Sequence, residues 1–293
     1  MDINYELYKV FFYVATTLSF SEASKQLFVS QSAVSQSIKT LEQKLEQSLF
    51  VRSTKRVQLT PEGEILLRHI EPAMNLIKRG ESQLIDSAIT GGQIRIGASD
   101  TICRYFLVPY LERFHKEFPD AHIKVTNQTS TKCVELLENG QVDLIVCNYP
   151  NSQLSNFYNC RQIAEFHDVF VANNSFSDLQ NRKVSFKELL EHPILMLERK
   201  SATSEFLHGF FQQYQLDLVP EIELTSNDLL IDLAKIGLGI AVIPDYCIQN
   251  IPNKLFTVQT EHELPARQLV LAYNNHIPLS KTVTEFMNYF TIT

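Results

Sequence analysis

No stretch of the chain approaches the roughly 18 consecutive apolar residues that a bilayer-spanning helix requires, so no membrane segment is expected. The opening Met-Asp-Ile-Asn-Tyr-Glu is acidic and lacks the basic-then-apolar pattern of a secretion signal, which gives a cytoplasmic expectation. The eight histidines are scattered, with no H-E-x-x-H. There is no G-x-S-x-G elbow and no glycine-rich phosphate loop. Without a paired base and nucleophile, an enzyme is not expected. The five cysteines, Cys103, Cys133, Cys147, Cys160 and Cys247, form no C-x-x-C and no histidine-paired spacing. They read as mostly buried thiols rather than disulfides or metal ligands. Neither a cofactor nor a metal is expected.

Positive charge is also scarce: 26 Lys and Arg stand against 33 Asp and Glu, a net charge of −7. The deficit is uneven. Residues 1–60 carry seven basic and five acidic side chains, a balance of +2, which leaves −9 for the rest. A nucleic-acid contact is therefore expected at the N-terminal end, with few phosphate contacts per copy and a need for several copies. The 44% hydrophobic content supports packed cores, and 293 residues suffice for two or three domains.

What is present begins with residues 20–45, SFSEASKQLFVSQSAVSQSIKTLEQKL from its preceding serine. The segment reads as two short helices with Phe28-Val29-Ser30 as the turn. Ser21 is the expected N-cap of the first helix and Ser30 of the second. Val34, Ile38, Leu41 and Leu45 form one apolar stripe on the second helix. Ser32, Gln36, Lys39 and Gln43 point the other way. Ser35 and Thr40 lie on the flanks, Gln31 at the exposed start, and Ala33 is small enough to allow close approach. Short hydroxyl and amide side chains with one lysine suit base edges and phosphates in a major groove. The alternative is an ordinary amphipathic helix with a solvated Ser/Gln face.

Residues 3–18 predict a supporting helix. Residues 49–59 predict a β-hairpin wing turning at Ser53-Thr54-Lys55, with Arg52, Lys55 and Arg56 placed for phosphates or the minor groove. Thr60-Pro61-Glu62 predicts a helix start, and the helix should run to about Thr90, before Gly91-Gly92. Leu67, Ile70, Met74, Ile77, Leu84 and Ala88 recur at three- and four-residue spacings, broken by Glu81, which predicts a seam for a partner helix. Pro72 should bend it.

Beyond Gln93 strands and helices alternate, which predicts a parallel α/β sheet. The first unit should hold strands at 93–98, 121–128 and 142–147 and helices at 105–117 and 131–139. The second should hold strands at 168–172, 194–197, 221–224 and 239–243 and helices at 186–191, 204–214 and 229–236. A strand at 268–273 and a helix at 280–290 should return to the first. Ligands of open α/β sheets bind beyond the carboxyl ends of strands. Ser99, Asp100, Thr101 and Thr129 occupy such positions, and Thr203 follows Arg199-Lys200, which could neutralise a carboxylate. Any helix start selects such caps, so the hydroxyls alone do not define a pocket, and Asp100 is awkward beside an anion.

The run A-S-K-Q-L-F-V-S-Q-S-A-V-S-Q-S-I-K-T-L-E-Q-K-L resembles the helix-turn-helix of LysR-type transcriptional regulators. Leu49-Phe50-x-Arg52, Val57-x-Leu59-Thr60-x-x-Gly63 and Gly237-Leu238-Gly239-Ile240-Ala241-Val242-Ile243-Pro244 follow in the family's order. Glu46 departs from the family's usual Gly, and Ser32 from a frequent Pro. The resemblance implies an N-terminal all-α winged helix-turn-helix domain over 1–60 and a long linker or dimerisation helix over 61–91. It further implies a C-terminal α/β type 2 periplasmic-binding-like domain over 92–293. Subdomain I would comprise 92–163 and 267–293, and subdomain II 164–266. It implies sequence-specific binding of double-stranded DNA by a homodimer or homotetramer. A small polar or anionic metabolite would be bound between the subdomains near Ser99, Thr129 and Thr203. Peroxide-sensing members use a cysteine pair where this chain has none between Cys160 and Cys247. The competing expectation is a solute-binding protein of a transport system.

Overall fold

The computed structural model describes residues 3–52, 56–86, 91–154, 158–250 and 254–290. Two compact units emerge: residues 1–85 with 139–141, and the remainder.

In the first unit, α1 (Tyr5–Thr17), α2 (Phe20–Leu27) and α3 (Gln31–Leu45) surround one core. Ser19, not Ser21, caps α2, its hydroxyl accepting the Glu22 N–H at 3.2 Å. The reason is Phe20: its ring packs into the core with Phe11 and Phe50, so the helix begins two residues earlier. Ser30 caps α3 as expected, accepting the Ala33 N–H at 3.2 Å. Val34, Ile38 and Leu41 are fully buried and Leu45 partly so. Each such side chain contributes about 1.5–3 kcal/mol by leaving water.

Three helix ends turn through the left-handed region on non-glycine residues: Leu18 (φ 48°), Phe28 (φ 55°) and Glu46 (φ 55°). The geometry expected of the family's glycine is thus kept at Glu46, with the Gln47 N–H donating to the Glu42 carbonyl at 3.1 Å. The conformation costs a side chain about 1–2 kcal/mol.

β1 (Phe50–Arg52) and β2 (Val57–Leu59) pair antiparallel as the wing. The turn with Lys55 lies outside the described residues. The Glu42 carboxylate accepts the Leu49 N–H at 2.8 Å and fastens the wing to α3. Gly63 is required where α4 (Pro61–Asp86) starts: a Cβ there would stand 2.2 Å from the Leu49 carbonyl oxygen. Pro72 lies within α4 without ending it. The expected seam is corrected at its start, because Leu67 and Ile70 pack against the helix-turn-helix core of their own chain. Farther on, Ile77 is 56% and Leu84 77% exposed. Residues 87–90, including Ala88, lie outside the described residues.

The second unit holds two sheets. In chain order its elements begin β3 (Gln93–Ala98), α5 (Asp100–Ile102), a π-turn (Cys103–Leu107), α6 (Val108–Glu117), β4 (His122–Asn127), α7 (Ser130–Glu138) and β5 (Leu144–Tyr149). Next come β6 (Tyr158–Phe166), β7 (Asp168–Ala172), β8 (Lys183–Val184), α8 (Phe186–Leu189), β9 (Ile194–Leu197) and α9 (Ala202–Gln213). The chain closes with β10 (Ile222–Leu224), α10 (Asn227–Lys235), β11 (Ile240–Pro244), β12 (Phe256–Thr260), β13 (Arg267–Asn274) and α11 (Lys281–Asn288).

One sheet runs β4-β3-β5-β13-β6 and the other β10-β9-β11-β7-β12-β8. Both are mixed rather than wholly parallel. β3 is parallel to β4 and β5, but β13 is antiparallel to β5 and β6, and β7 is antiparallel to β11 and β12. The departure follows from the connections. The chain passes directly from β6 into β7 and later from β12 to β13, so strands entering by these crossovers run against the helix-linked ones. Ile94, Ile96, Leu144, Val146, Leu269 and Phe286 fill one core. Phe170, Leu207, Phe211, Ile240 and Val242 fill the other. The helix after β3 begins at Asp100, five residues before the expected Tyr105, because Ser99 caps it.

Candidate DNA-reading surface and ligand cavity

Within the first unit, the outer face of α3 is open to solvent. Gln31, Ser32, Ala33, Gln36 and Lys39 are exposed, and Ser35 is half-buried. The Ser30 and Ser32 hydroxyls lie 2.9 Å apart, so the cap and the first turn are held together. Thr40 turns back to the Gln36 carbonyl at 2.9 Å and stays out of the row. The resulting surface is a set of amide and hydroxyl groups with one lysine, on a helix whose opposite face buries Val34, Ile38 and Leu41 completely. Of the wing residues, Arg56 is exposed, whereas the Arg52 side chain and Lys55 lie outside the described residues.

The second unit encloses a cavity of about 330 Å³ between its two sheets. Ser99, Asp100, Thr101, Thr129 and Thr203 all line it. Each stands at the start of a helix that follows a strand. Ser99 accepts the Ile102 N–H at 3.2 Å, Thr129 the Lys132 N–H at 3.4 Å, and Ser201 the Ser204 N–H at 3.1 Å. Ser226 caps α10 in the same way. Helix starts from both sheets therefore converge on one space, and their N-terminal dipoles favour negative charge there.

The lining includes residues that sequence reasoning missed: Asn127, Lys132, Asn148, Glu198, Ser226, Asn227 and Tyr246. Ser226 and Asn227 carried a cap signal of the kind applied at Ser99. Asn148 stands just past the expected strand 142–147, as Ser99 does past 93–98, but opens no helix; Tyr246 carried no signal. Burial pushes the Tyr246 phenol well above its ordinary pKa, so it stays a hydrogen-bond donor. Arg199 and Lys200 do not line the cavity, contrary to the expected carboxylate role. They sit in the turn before Ser201, and the Lys200 carbonyl accepts from Thr131 at 3.5 Å. Lys132 is the cation in the lining, which also includes Asp100 and Glu198. Asp100 is partly occupied, accepting from Asn127 at 3.2 Å.

Several contacts cross between the sheets. Asn227 donates to Thr101 at 3.0 Å, and the Tyr105 hydroxyl donates to Asp228 at 2.6 Å. Arg104 adds a 3.1 Å bond to the same carboxylate. Behind Thr203 lies Arg267, wholly buried, which donates to the Thr203 hydroxyl at 3.1 Å and to Asp168 at 2.7 Å. Its guanidinium lies against the Phe166 and Phe206 rings, 5.3 and 4.7 Å from their centroids. This ion pair joins the first residue of β7 to the first residue of β13, where the two crossovers enter their sheets.

Residues 5–64 match the family described as bacterial regulatory helix-turn-helix protein, lysR family, and residues 88–291 match the LysR substrate binding domain. This chain belongs to the LysR family of transcriptional regulators. The relatives of this LysR-type regulator include the HTH-type transcriptional activator CmpR of Synechocystis. That protein is 25% identical over 285 residues, covering 96% of this chain and 93% of the relative. The RuBisCO operon transcriptional regulator of Allochromatium vinosum is 24% identical, covering 99% of this chain and 96% of the relative. In fold, full-length OxyR of Pseudomonas aeruginosa superimposes with a TM-score of 0.73 at 17% identity, covering 100% of this chain and 96% of that one. CbnR in complex with its target DNA gives 0.69 at 17% identity, covering 98% and 99%. The regulatory domain of Synechocystis CcmR with 2-PG gives 0.62 at 18%, covering 68% of this chain and 95% of that one. The LysR-type regulator thus pairs a helix-turn-helix domain with a LysR substrate-binding domain of mixed α/β sheets. No helix among the described residues is long and apolar enough to cross a membrane.

Proposed function

We propose that this LysR-type regulator binds a two-fold-related DNA site as a homodimer or homotetramer, with α3 in the major groove. A small polar or anionic metabolite in the cavity sets the geometry of its regulatory half. Residues 1–60 read DNA, 61–91 form the linker helix whose turns beyond Ile70 carry the partner seam, and 92–293 hold the effector. The observation that carries this reading is the pairing on α3 of an inner stripe, buried at Val34, Ile38 and Leu41, with an outer face exposed at Gln31, Ser32, Ala33, Gln36 and Lys39, in a chain whose other unit holds a cavity lined largely by polar residues.

Ser30, Gln31, Ser32, Ala33, Ser35, Gln36 and Lys39 form the proposed reading surface, with Arg52, Lys55 and Arg56 on phosphates. Ser99, Asp100, Thr101, Thr129 and Thr203 form the proposed effector set, joined by Asn148, Asn227 and Lys132. A bound ligand shifts the equilibrium between arrangements only by its difference in affinity for them. The chain performs no catalysis in this reading, and its setting is the cytoplasm. A transport solute-binding role leaves the helix-turn-helix without a task. Genomic footprinting of the full chain tests the proposal, followed by a metabolite screen read by thermal shift. Protected sites with two-fold symmetry and a stabilising anionic ligand support it; no protected site overturns it.

A further inference from the structure

Phe28 occupies the turn between α2 and α3. Its backbone is left-handed, at φ 55° and ψ 38°, a conformation that glycine and asparagine adopt far more readily than phenylalanine. Its ring is 95% exposed. The residue therefore gains no packing within its own chain for the strain it bears. The other left-handed caps differ: Glu46 is charged and suits water, and Leu18 is half as exposed, at 48%.

The position is held firmly. The Phe28 N–H donates to the Lys25 carbonyl at 3.2 Å and the Val29 N–H to the Ser24 carbonyl at 3.1 Å. The ring is thus presented from a fixed backbone. Val29, next to it, is 47% exposed, and Ser30 opens α3 with Gln31, Ser32 and Ala33 exposed behind it. An apolar corner runs without a break into the polar row of the reading surface.

We infer that Phe28 is a DNA contact, its ring lying against an apolar part of the duplex at the edge of the bases read by α3. Two such surfaces exist on DNA, the thymine 5-methyl group and the deoxyribose face. The inference rests on the DNA-binding reading above and deepens it by adding an apolar contact to a polar set.

The test uses the full chain and Phe28→Asn, which keeps the left-handed turn while removing the ring. Both are titrated, at one fixed salt concentration, against a duplex that the parent chain selects from a randomised library. The expected result is roughly 5–30-fold weaker binding by the variant. Its melting temperature should be equal or higher by about 2–4 °C. Phe28→Tyr should bind as the parent does. A matching duplex with uracil for thymine separates the two surfaces. Weaker parent binding to it, without further loss in Phe28→Asn, supports the methyl contact; unchanged parent binding supports the sugar face. Equal affinity of parent and Phe28→Asn overturns the inference while leaving the DNA-binding reading intact. A change in oligomer mass with unchanged affinity overturns it in favour of a contact between copies. A parent chain that selects no duplex overturns the DNA-binding reading and this contact with it.

Discussion

The proposed reading surface and the proposed ligand cavity are built by opposite means. α3 displays its functional groups from one continuous helix, and its alignment is set by a buried stripe of Val34, Ile38 and Leu41 a few residues away. The cavity draws Ser99, Thr129, Thr203 and Asn227 from four separate chain segments, each brought in by its own strand-to-helix turn. The first arrangement tolerates changes one side chain at a time. The second depends on the positions of whole sheets, so a change far from the cavity can empty it. This contrast predicts that variants of α3 will alter what is bound, whereas variants at the crossovers will alter whether anything is bound.

The largest effect should come from the crossovers. Arg267→Leu leaves the Asp168 carboxylate buried without its partner and should cost about 3–5 kcal/mol, read by denaturant unfolding. Adding Asp168→Leu should recover most of that loss, since an apolar pair of similar volume is often neutral. A single variant as stable as the parent would break the contrast.

Next in size is Gln36→Ala. It should relax discrimination at one position of the DNA site by about 1–3 kcal/mol, measured by titrating single-base variants of a footprinted duplex. Equal loss on every sequence would assign Gln36 to the backbone instead. Thr129→Val should weaken ligand binding by roughly tenfold, about 1.4 kcal/mol, with DNA affinity unchanged. Calorimetry with the screened metabolite and a parallel duplex titration check both arms. The smallest change is Glu46→Gly, which relieves a left-handed side chain and should stabilise the chain by about 1 kcal/mol. A loss of stability there would mean that Glu46 makes a contact the turn geometry does not reveal.

The same contrast explains what could be read from the amino-acid order. The α3 stripe, the Ser30 cap and the wing strands follow from local periodicity and local caps, and each lies where that chemistry puts it. The start of α2 at Ser19 rather than Ser21 shows the limit, because a distant core claimed Phe20. In the cavity, Ser99 and Thr129 were legible as hydroxyls that follow strands. Asn148 was harder to read: it lies at the carboxyl end of β5 but caps no helix, and its partner Thr203 comes from α9 of the other sheet. β6 escaped notice because its sequence, YNCRQIAEF, is half polar and alternates irregularly. The mixed direction of both sheets was hidden as well. It depends on where the chain changes sheet, and neither crossover carries a local sequence mark.

Leu67 and Ile70 have one more consequence. Their packing into the core below them makes the first turns of α4 part of the reading head rather than part of a neutral rod. Pro72, which takes one backbone hydrogen bond out of the helix, comes just after them, so a rotation applied farther along would meet that position before it met the head.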